Sequence, residues 1–207
     1  MNNSNSHIIQ IYNSRKNLLE ILESRGFDIT NYNNFSINEI GILVEQDQLD
    51  MLLEDSKNKK IYVKYYINKV IKQQNIYSII EDLFYLENIL TKKDDLMIIT
   101  KDEPNDTLIQ TIKDIWVQDN IYTSVINIKR LQFNILKHVL VPKHSILLKE
   151  EEIEFKKKYN VVDNNIPDIS YFSPISLVLG IRPNDIIKIE RKSRTAIKSD
   201  YYRICKL

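Results

Sequence analysis

The sequence predicts two domains, a three-layer α/β domain with mostly parallel strands over residues 1–137 and a small α+β domain over residues 138–207. In the first part, strand-like and helix-like patterns alternate, which is typical of a sheet covered by helices. Beyond His138 the elements become shorter and this alternation stops. A length of 207 residues also fits two small domains.

The first helix is predicted over residues 7–25. Apolar residues recur there at steps of three and four, and only Arg15 interrupts the apolar face. Gly26 follows, where a helix end favours a residue of positive φ. A second, short helix is predicted after Ser36, because Glu39 three residues later completes a capping box.

From Lys59 onward the pattern alternates between strands and helices. Apolar residues alternate over residues 61–67, which predicts a strand, and residues 76–90 return to helical spacing. Residues 96–99 form a short, continuous apolar run, which is typical of a buried strand. Another helix is predicted over 108–116, and a third strand over 121–126.

The second part begins with an extended segment over residues 139–147, in which Pro142 indicates an edge strand or connector. Residues 149–159 predict a helix, with glutamates in its first turn and lysines in its last, the order that the helix dipole favours.

A short helix is predicted to begin at Ser173-Pro174 and to end at Gly180. Two strands then follow, over 185–191 and 201–206, with a polar loop over 192–200 between them.

Composition excludes several classes of protein. The one cysteine allows neither an intramolecular disulfide nor a cysteine-based zinc site. With only 3 glycines, none in a phosphate-binding spacing, no P-loop or dinucleotide fingerprint is present. No apolar run is long enough to span a membrane, and the polar start is not a signal peptide. We therefore expect an intracellular protein without cofactor or small-molecule substrate.

Charge divides unevenly along the chain. There are 16 basic and 19 acidic residues up to Lys137, against 13 and 9 from His138 onward. The basic second part is compatible with a nucleic acid or an acidic protein surface as partner, although such a bias is more often a solvated face. The abundance of Asn, Ile, Lys and Tyr suggests an AT-rich genome, such as some large DNA viruses have.

Three groups of motifs in the second part occur in a characteristic order and spacing. They are Leu140-Val141-Pro142-Lys143-His144; Ile166-Pro167-Asp168-Ile169 with Ser173-Pro174-Ile175 and Leu179-Gly180-Ile181-Arg182-Pro183; and residues 187–193 with Thr195-Ala196 and Tyr202-Arg203-Ile204-Cys205. In this arrangement, residues 138–207 resemble the fifth subunit of eukaryotic RNA polymerases and the archaeal H subunit. Residues 25–30 resemble the eukaryotic N-terminal jaw domain more faintly.

The resemblance implies a non-catalytic subunit of a DNA-directed RNA polymerase. Its C-terminal assembly domain would dock on the largest subunit, beside neighbouring small subunits. The jaw would lie beside downstream duplex DNA. No catalytic, cofactor-binding or metal-binding residue is implied. The candidate interface residues are Pro142, Lys143, His144, Arg182, Arg191, Arg194, Thr195, Tyr202 and Arg203.

The sequence departs from the family pattern at several positions. Ser173 stands where the family usually has Asp, and both residue types cap helices well. Arg194 and Ile197 replace the family's Glu and Gly, and the charge reversal at Arg194 implies altered contacts or a partner that changed with it. In the jaw, the acidic stretch 102–106 would repel phosphate, which leaves Lys101, Asn105 and Thr107 as the candidate DNA-proximal residues.

Two alternative functions have some support in the sequence. Asp94, Asp95 and Lys101 near a central strand suggest a metal-dependent nuclease, but their spacing is wrong for one, and we expect solvated charges at a strand end instead. A stand-alone nucleic-acid-binding adaptor that shares only the C-terminal domain stays possible. Such a polymerase subunit would be nuclear in a cell, or in the virion and cytoplasmic factory of a virus.

Side chains with reactive groups have simpler interpretations. We expect His144 to make a local hydrogen bond rather than to bind a metal, and Cys205 to be a small buried residue rather than a nucleophile. Tyr201, Tyr202 and Arg203 are compatible with an RNA-stacking patch, but packing of alternate strand residues explains Tyr202 and Ile204 equally well.

Overall fold

A computed structural model describes residues 2–193 and 195–207. The chain divides into two compact units, Met1–Asn134 and Ile135–Leu207. Each unit contains one four-stranded sheet together with helices. The mixed α/β content predicted from the sequence is therefore confirmed. Arg194, predicted as an interface residue, lies outside the described residues.

The first unit contains four α-helices and four strands in its described residues: α1 (Asn2–Ser24), α2 (Ile37–Glu45), β1 (Met51–Glu54), β2 (Lys60–Tyr66), α3 (Gln73–Ile80), β3 (Asp95–Thr100), α4 (Asp106–Asp119) and β4 (Tyr122–Asn127). The strand order is β1-β2-β3-β4, with β2, β3 and β4 parallel and β1 antiparallel. All six residues of β3 and all six of β4 are buried, so both faces of these strands are covered.

The predicted helices of the first unit form, with changes at their ends. Gly26 (φ +96°) ends α1, and Ser36 and Glu39 form the predicted capping box. The helix predicted to reach Leu90 instead changes after Ile80 into a π-helical turn over Glu81–Leu86. Strand β1 was not predicted, because four residues give too little alternation to detect.

Arg15, the polar interruption of α1, is buried and packed. Its Nη1 donates to the Leu49 carbonyl oxygen at 2.8 Å, and its guanidinium lies 5.7 and 5.4 Å from the ring centres of Tyr32 and Phe35. Burial lowers the pKa of Arg15. A cation in the helix face is thus compensated by one carbonyl and two aromatic rings.

The second unit contains two α-helices and four strands in its described residues: β5 (Lys143–Ile146), α5 (Lys149–Tyr159), β6 (Asp168–Ser170), α6 (Pro174–Leu179), β7 (Ile186–Lys192) and β8 (Lys198–Lys206). The strand order is β5-β7-β8-β6. Ile186 and Ile204 pair across the sheet and form a core with Phe155 and Ile166. This core anchors α5 to one face of the sheet.

Local signals predicted the helices of this unit well. Helix α5 has the predicted ends, and α6 is capped by Ser173, whose Oγ accepts from Ser176 N at 3.2 Å, and ends at Gly180 (φ +69°). The predicted loop 192–200 was too long, because β7 and β8 extend into it and only residues 193–197 remain between them. The three-residue strand β6 was not predicted.

Pro142 precedes strand β5 rather than lying within it. The backbone before it forms a turn in which Val141 N donates to the His138 carbonyl oxygen at 2.9 Å. Strand β5 is confirmed as an edge strand, paired on one side with β7. Among the described residues, no helix is long and apolar enough to cross a membrane.

Candidate subunit interface

The predicted interface residues of the second unit fall on both faces of its sheet. Registers place His144 beside Ile189 and Ile189 beside Tyr201, whereas Lys188 pairs with Tyr202. Because side chains alternate between faces along a strand, Tyr201 and Tyr202 point in opposite directions. We call the two sides the His144 face and the Phe155 face.

The His144 face carries His144, Arg191, Tyr201 and Arg203. His144 Nδ1 lies 2.7 Å from the Pro142 carbonyl oxygen, so the predicted local hydrogen bond is confirmed. Burial lowers the pKa of His144; its hydrogen bond to Pro142 opposes this, and Arg191 lowers the pKa further. His144 is thus favoured in its neutral form next to a permanent cation.

Arg191 and Tyr201 form a pair on the same face. The guanidinium carbon of Arg191 lies 4.9 Å from the Tyr201 ring centre, and 47% of Tyr201 is exposed. An exposed arginine stacked on a tyrosine is a frequent element of protein interfaces. Tyr201 was not among the residues predicted for the interface, although strict alternation along β8 separates it from Tyr202.

Tyr202 lies on the Phe155 face and serves packing. Its ring stacks on Phe155 with a centroid distance of 4.2 Å and lies 5.8 Å from the Tyr159 ring. The packing interpretation is therefore confirmed for Tyr202, and an RNA-stacking patch built from Tyr201 and Tyr202 together is wrong, because the two rings point to opposite faces.

The remaining predicted interface residues have local partners. Arg203 Nη1 donates to the Asp168 carbonyl oxygen at 2.6 Å, which ties β8 to β6. Arg182 N donates to Asp185 Oδ2 at 2.8 Å, and burial is the main cause of the raised pKa of Asp185. Thr195 is exposed in the β7–β8 turn, where its amide donates to Ser193 Oγ.

A cleft forms at the end of the sheet beside the turn before β5. It measures about 540 Å³ and is lined by Val139, Leu140, Val141, Pro142, Lys143, Glu190, Arg191, Lys192 and Lys198. Three of the predicted interface residues therefore meet here, namely Pro142, Lys143 and Arg191. We call this the basic cleft.

Cys205 does not behave as a nucleophile. It is fully buried, and burial raises the pKa of its thiol to about 12. A thiol with this pKa is protonated at neutral pH and therefore unreactive. The interpretation of Cys205 as a small core residue is supported.

The carboxylates considered for nuclease chemistry are structural. Asp95 is fully buried and pairs with Arg25 Nη2 at 2.7 Å and with Lys59 Nζ at 2.9 Å. Asp94 is also buried, and its oxygens accept hydrogen bonds from Lys60 N and from the amide and hydroxyl of Thr91. The expectation that these two charges are solvated was wrong, because the ion-pair partners of Asp95 come from distant parts of the chain.

The predicted DNA-proximal residues lie together where β3 leads into α4. Lys101, Asn105 and Thr107 are exposed, and the Asn105 side chain caps α4 by accepting from Leu108 N at 3.0 Å. Asn127 Nδ2 donates to the Lys101 carbonyl oxygen at 3.1 Å, which brings the end of β4 next to this loop. Of these residues, Asn105 thus has a clear structural role.

The turn after β4 adds basic residues that were not predicted from the sequence. Arg130 pairs with Glu103 at 2.9 Å, and Lys129 is exposed beside it. The loop and the turn after β4 therefore carry three acidic residues, Asp102, Glu103 and Asp106, together with three basic residues, Lys101, Lys129 and Arg130. No sequence signal links residues 101 and 129; only the parallel pairing of β3 with β4 does so.

The strongest similarities to known proteins lie in the second unit. Residues 133–205 match the family described as "RNA polymerase Rpb5, C-terminal domain". The chain is 47% identical over 73 residues to "DNA-directed RNA polymerase subunit Rpo5" of Thermococcus kodakarensis, which covers 35% of this chain and 89% of the relative. The corresponding protein of Archaeoglobus fulgidus is 42% identical over 74 residues, 36% of this chain and 97% of the relative.

One relative extends over both units. The protein named "DNA-directed RNA polymerases I, II, and III subunit rpabc1" of Dictyostelium discoideum is 26% identical over 197 residues, which is 92% of this chain and 94% of the relative. Since nearly the whole archaeal sequence is matched at over 40% identity, the chain belongs to the Rpb5/Rpo5 family of DNA-directed RNA polymerase subunits.

Proposed function

We propose that the chain is a non-catalytic subunit of a multisubunit DNA-directed RNA polymerase. The observation that carries this proposal is the match of the second unit to almost complete archaeal polymerase subunits. The sites weighed for chemistry support a non-catalytic role: Asp94 and Asp95 are buried in structural contacts, and the Cys205 thiol is protonated. Nucleotide addition would then belong to other subunits, and this chain would need no cofactor.

The C-terminal domain, residues 138–207, would dock on the largest subunit beside neighbouring small subunits. The candidates for this contact are the exposed residues near the basic cleft and the Arg191–Tyr201 pair. Tyr202 and Arg203 contribute less, because their side chains already have partners within the second unit, whereas Arg182 stays among the candidates. The protein would be intracellular, nuclear in a cell or in a virion and viral factory.

Co-purification tests the subunit assignment. A tagged chain expressed in its natural host should recover the largest polymerase subunit in stoichiometric amount. Recovery of the chain alone under gentle salt would contradict the assignment and favour a stand-alone nucleic-acid-binding adaptor. Purified protein with magnesium or manganese should leave duplex DNA uncut.

The N-terminal domain, residues 1–137, would act as a jaw beside downstream DNA. Support comes from Lys101, Lys129 and Arg130, which offset the acidic residues of the loop. Phosphate contacts release counterions, so each contributes to the salt dependence of binding.

Binding of the assembled polymerase to duplex DNA tests the jaw. Replacing both Lys101 and Lys129 by alanine should weaken binding at low salt and lower the salt slope by about one per lost phosphate contact. The matched control is K57A/K157A, which also removes two exposed lysines outside this loop and should change neither the affinity nor the salt slope. An unchanged slope in the double variant would refute DNA contact at this loop.

A further inference from the structure

The basic cleft presents cations with few partners of their own. Lys143, Arg191, Lys192 and Lys198 line it, against Glu190 as the carboxylate among the lining residues. Lys198 reaches Glu190 at 3.7 Å with 74% of its side chain exposed, and such a pair contributes little. Lys143 lies opposite Glu190 in the pairing of β5 with β7, but within residues 2–193 and 195–207 neither Lys143 nor Lys192 has a carboxylate oxygen within ion-pair distance.

Two aliphatic side chains at the same cleft are almost fully exposed to solvent. Val139 is 94% exposed and Leu140 is 84% exposed. Their backbone is ordered by hydrogen bonds, because Val141 N donates to His138 O at 2.9 Å and Leu140 N to His138 Nδ1 at 3.3 Å. Adjacent aliphatic residues displayed on a hydrogen-bonded turn offer apolar surface that a partner can cover.

We propose that the basic cleft receives an acidic segment of a partner polymerase subunit, whose aliphatic side chains cover Val139 and Leu140. This inference rests on the proposed function, since the partner is taken from the polymerase. Charge complementarity requires carboxylates on the partner. The two aliphatic residues require apolar side chains among those carboxylates.

A protein segment fits this cleft better than a nucleic acid does. Single-stranded nucleic acids bind where aromatic side chains stack on the bases, and the residues that line the cleft include no aromatic ring. A phosphate backbone would pair with the cations but would leave Val139 and Leu140 exposed to water. A protein segment with interspersed carboxylates and aliphatic side chains would pair with the cations of the cleft and would also cover Val139 and Leu140.

Cross-linking in the assembled enzyme identifies the occupant. A photoreactive amino acid at position 140 of the full chain should attach to a polymerase segment of net negative charge that contains Val, Leu or Ile. The same probe at position 162, which is also exposed but lies outside the cleft, should not label that segment. Attachment at position 140 to nucleic acid, to a neutral or basic segment, or to a second copy of the chain would overturn the proposal.

Charge reversal gives a second, independent readout. K143E/K192E should bind polymerase that lacks this subunit roughly tenfold more weakly at low salt, with a smaller salt dependence. K57E/K157E is the matched control, since both lysines are exposed outside the cleft and the charge change is equal. V139S/L140S should also weaken binding, with the salt dependence unchanged. Circular dichroism confirms that each variant is folded.

The outcomes separate this inference from the proposed function. If the wild-type chain binds polymerase but K143E/K192E binds equally well, the cleft proposal fails and the subunit assignment stands. If the wild-type chain does not bind polymerase at all, the proposed function fails, and with it the basis of this inference.

Discussion

Replacing Asp95 by asparagine tests whether the buried ion pairs hold the first unit together. Asparagine keeps the shape of the side chain but removes its charge. Arg25, with 9% of its side chain exposed, would then be a buried cation without a counter-charge, and its Nη1 is already buried without a hydrogen-bond partner among the described residues. Breaking a buried pair in this way costs about 3–5 kcal/mol.

Most of this cost should come from Arg25. Lys59 is 33% exposed, so water screens its pair with Asp95, and that contribution should stay below about 1 kcal/mol. The free energy of unfolding can be followed in urea through the fluorescence of Trp116, the one tryptophan of the chain, which lies in α4 of the first unit.

The control is the same chemical change at the surface. Glu103→Gln removes a carboxylate that pairs with Arg130, but these side chains are 53% and 40% exposed, so we expect a loss of about 0–1 kcal/mol. The double variant R25Q/D95N should lose less than the sum of its single variants, because the two residues interact. If D95N and E103Q differ by less than about 1 kcal/mol, the buried pairs do not stabilise the unit as argued.

Three further predictions concern the second unit. Ser173→Ala should lower its free energy of unfolding by about 1 kcal/mol through loss of the α6 cap, measured by circular dichroism in urea, whereas Ser173→Asp should stay within about 0.5 kcal/mol of wild type because Asp caps equally well. NMR titration of His144 should give a pKa below 6.5. The folded state disfavours the protonated ring, so the contribution of neutral His144 to the free energy of unfolding is fully present above pH 6.5 and is lost as pH falls through the lowered pKa. H144Q should lack this pH dependence, and a pKa above 6.5 would contradict the burial argument. Native Cys205, buried and with its pKa raised to about 12, should react with a thiol reagent only as fast as the protein unfolds; rapid labelling of the native protein would refute this.

Elements with strong local signals could be predicted from the sequence. Helix α5 is marked by its charge order, α6 by Ser173-Pro174 and Gly180, and β3 by its apolar run. These signals act between residues a few positions apart, so they do not depend on the rest of the fold. The short strands β1 and β6 lack such signals, because three or four residues cannot show a period and form only by pairing with β2 and β8.

Properties that depend on distant residues could not be predicted. The carboxylate of Asp95 is paired with Arg25, from the turn after α1, and with Lys59, from the segment before β2, and both lie far from Asp95 along the chain. The candidate interface has the same limitation. His144 and Tyr201 share a face only because β5 and β8 each pair with β7 in a particular register, and a slip of one residue would reverse every side chain.

The core of Phe155, Ile166, Ile186 and Ile204 has an evolutionary consequence. All four residues belong to the second unit, and the archaeal relatives are matched over little more than this unit. This core is therefore complete without any residue of the first unit, as expected if a relative that matches only the second unit is to fold around the same positions.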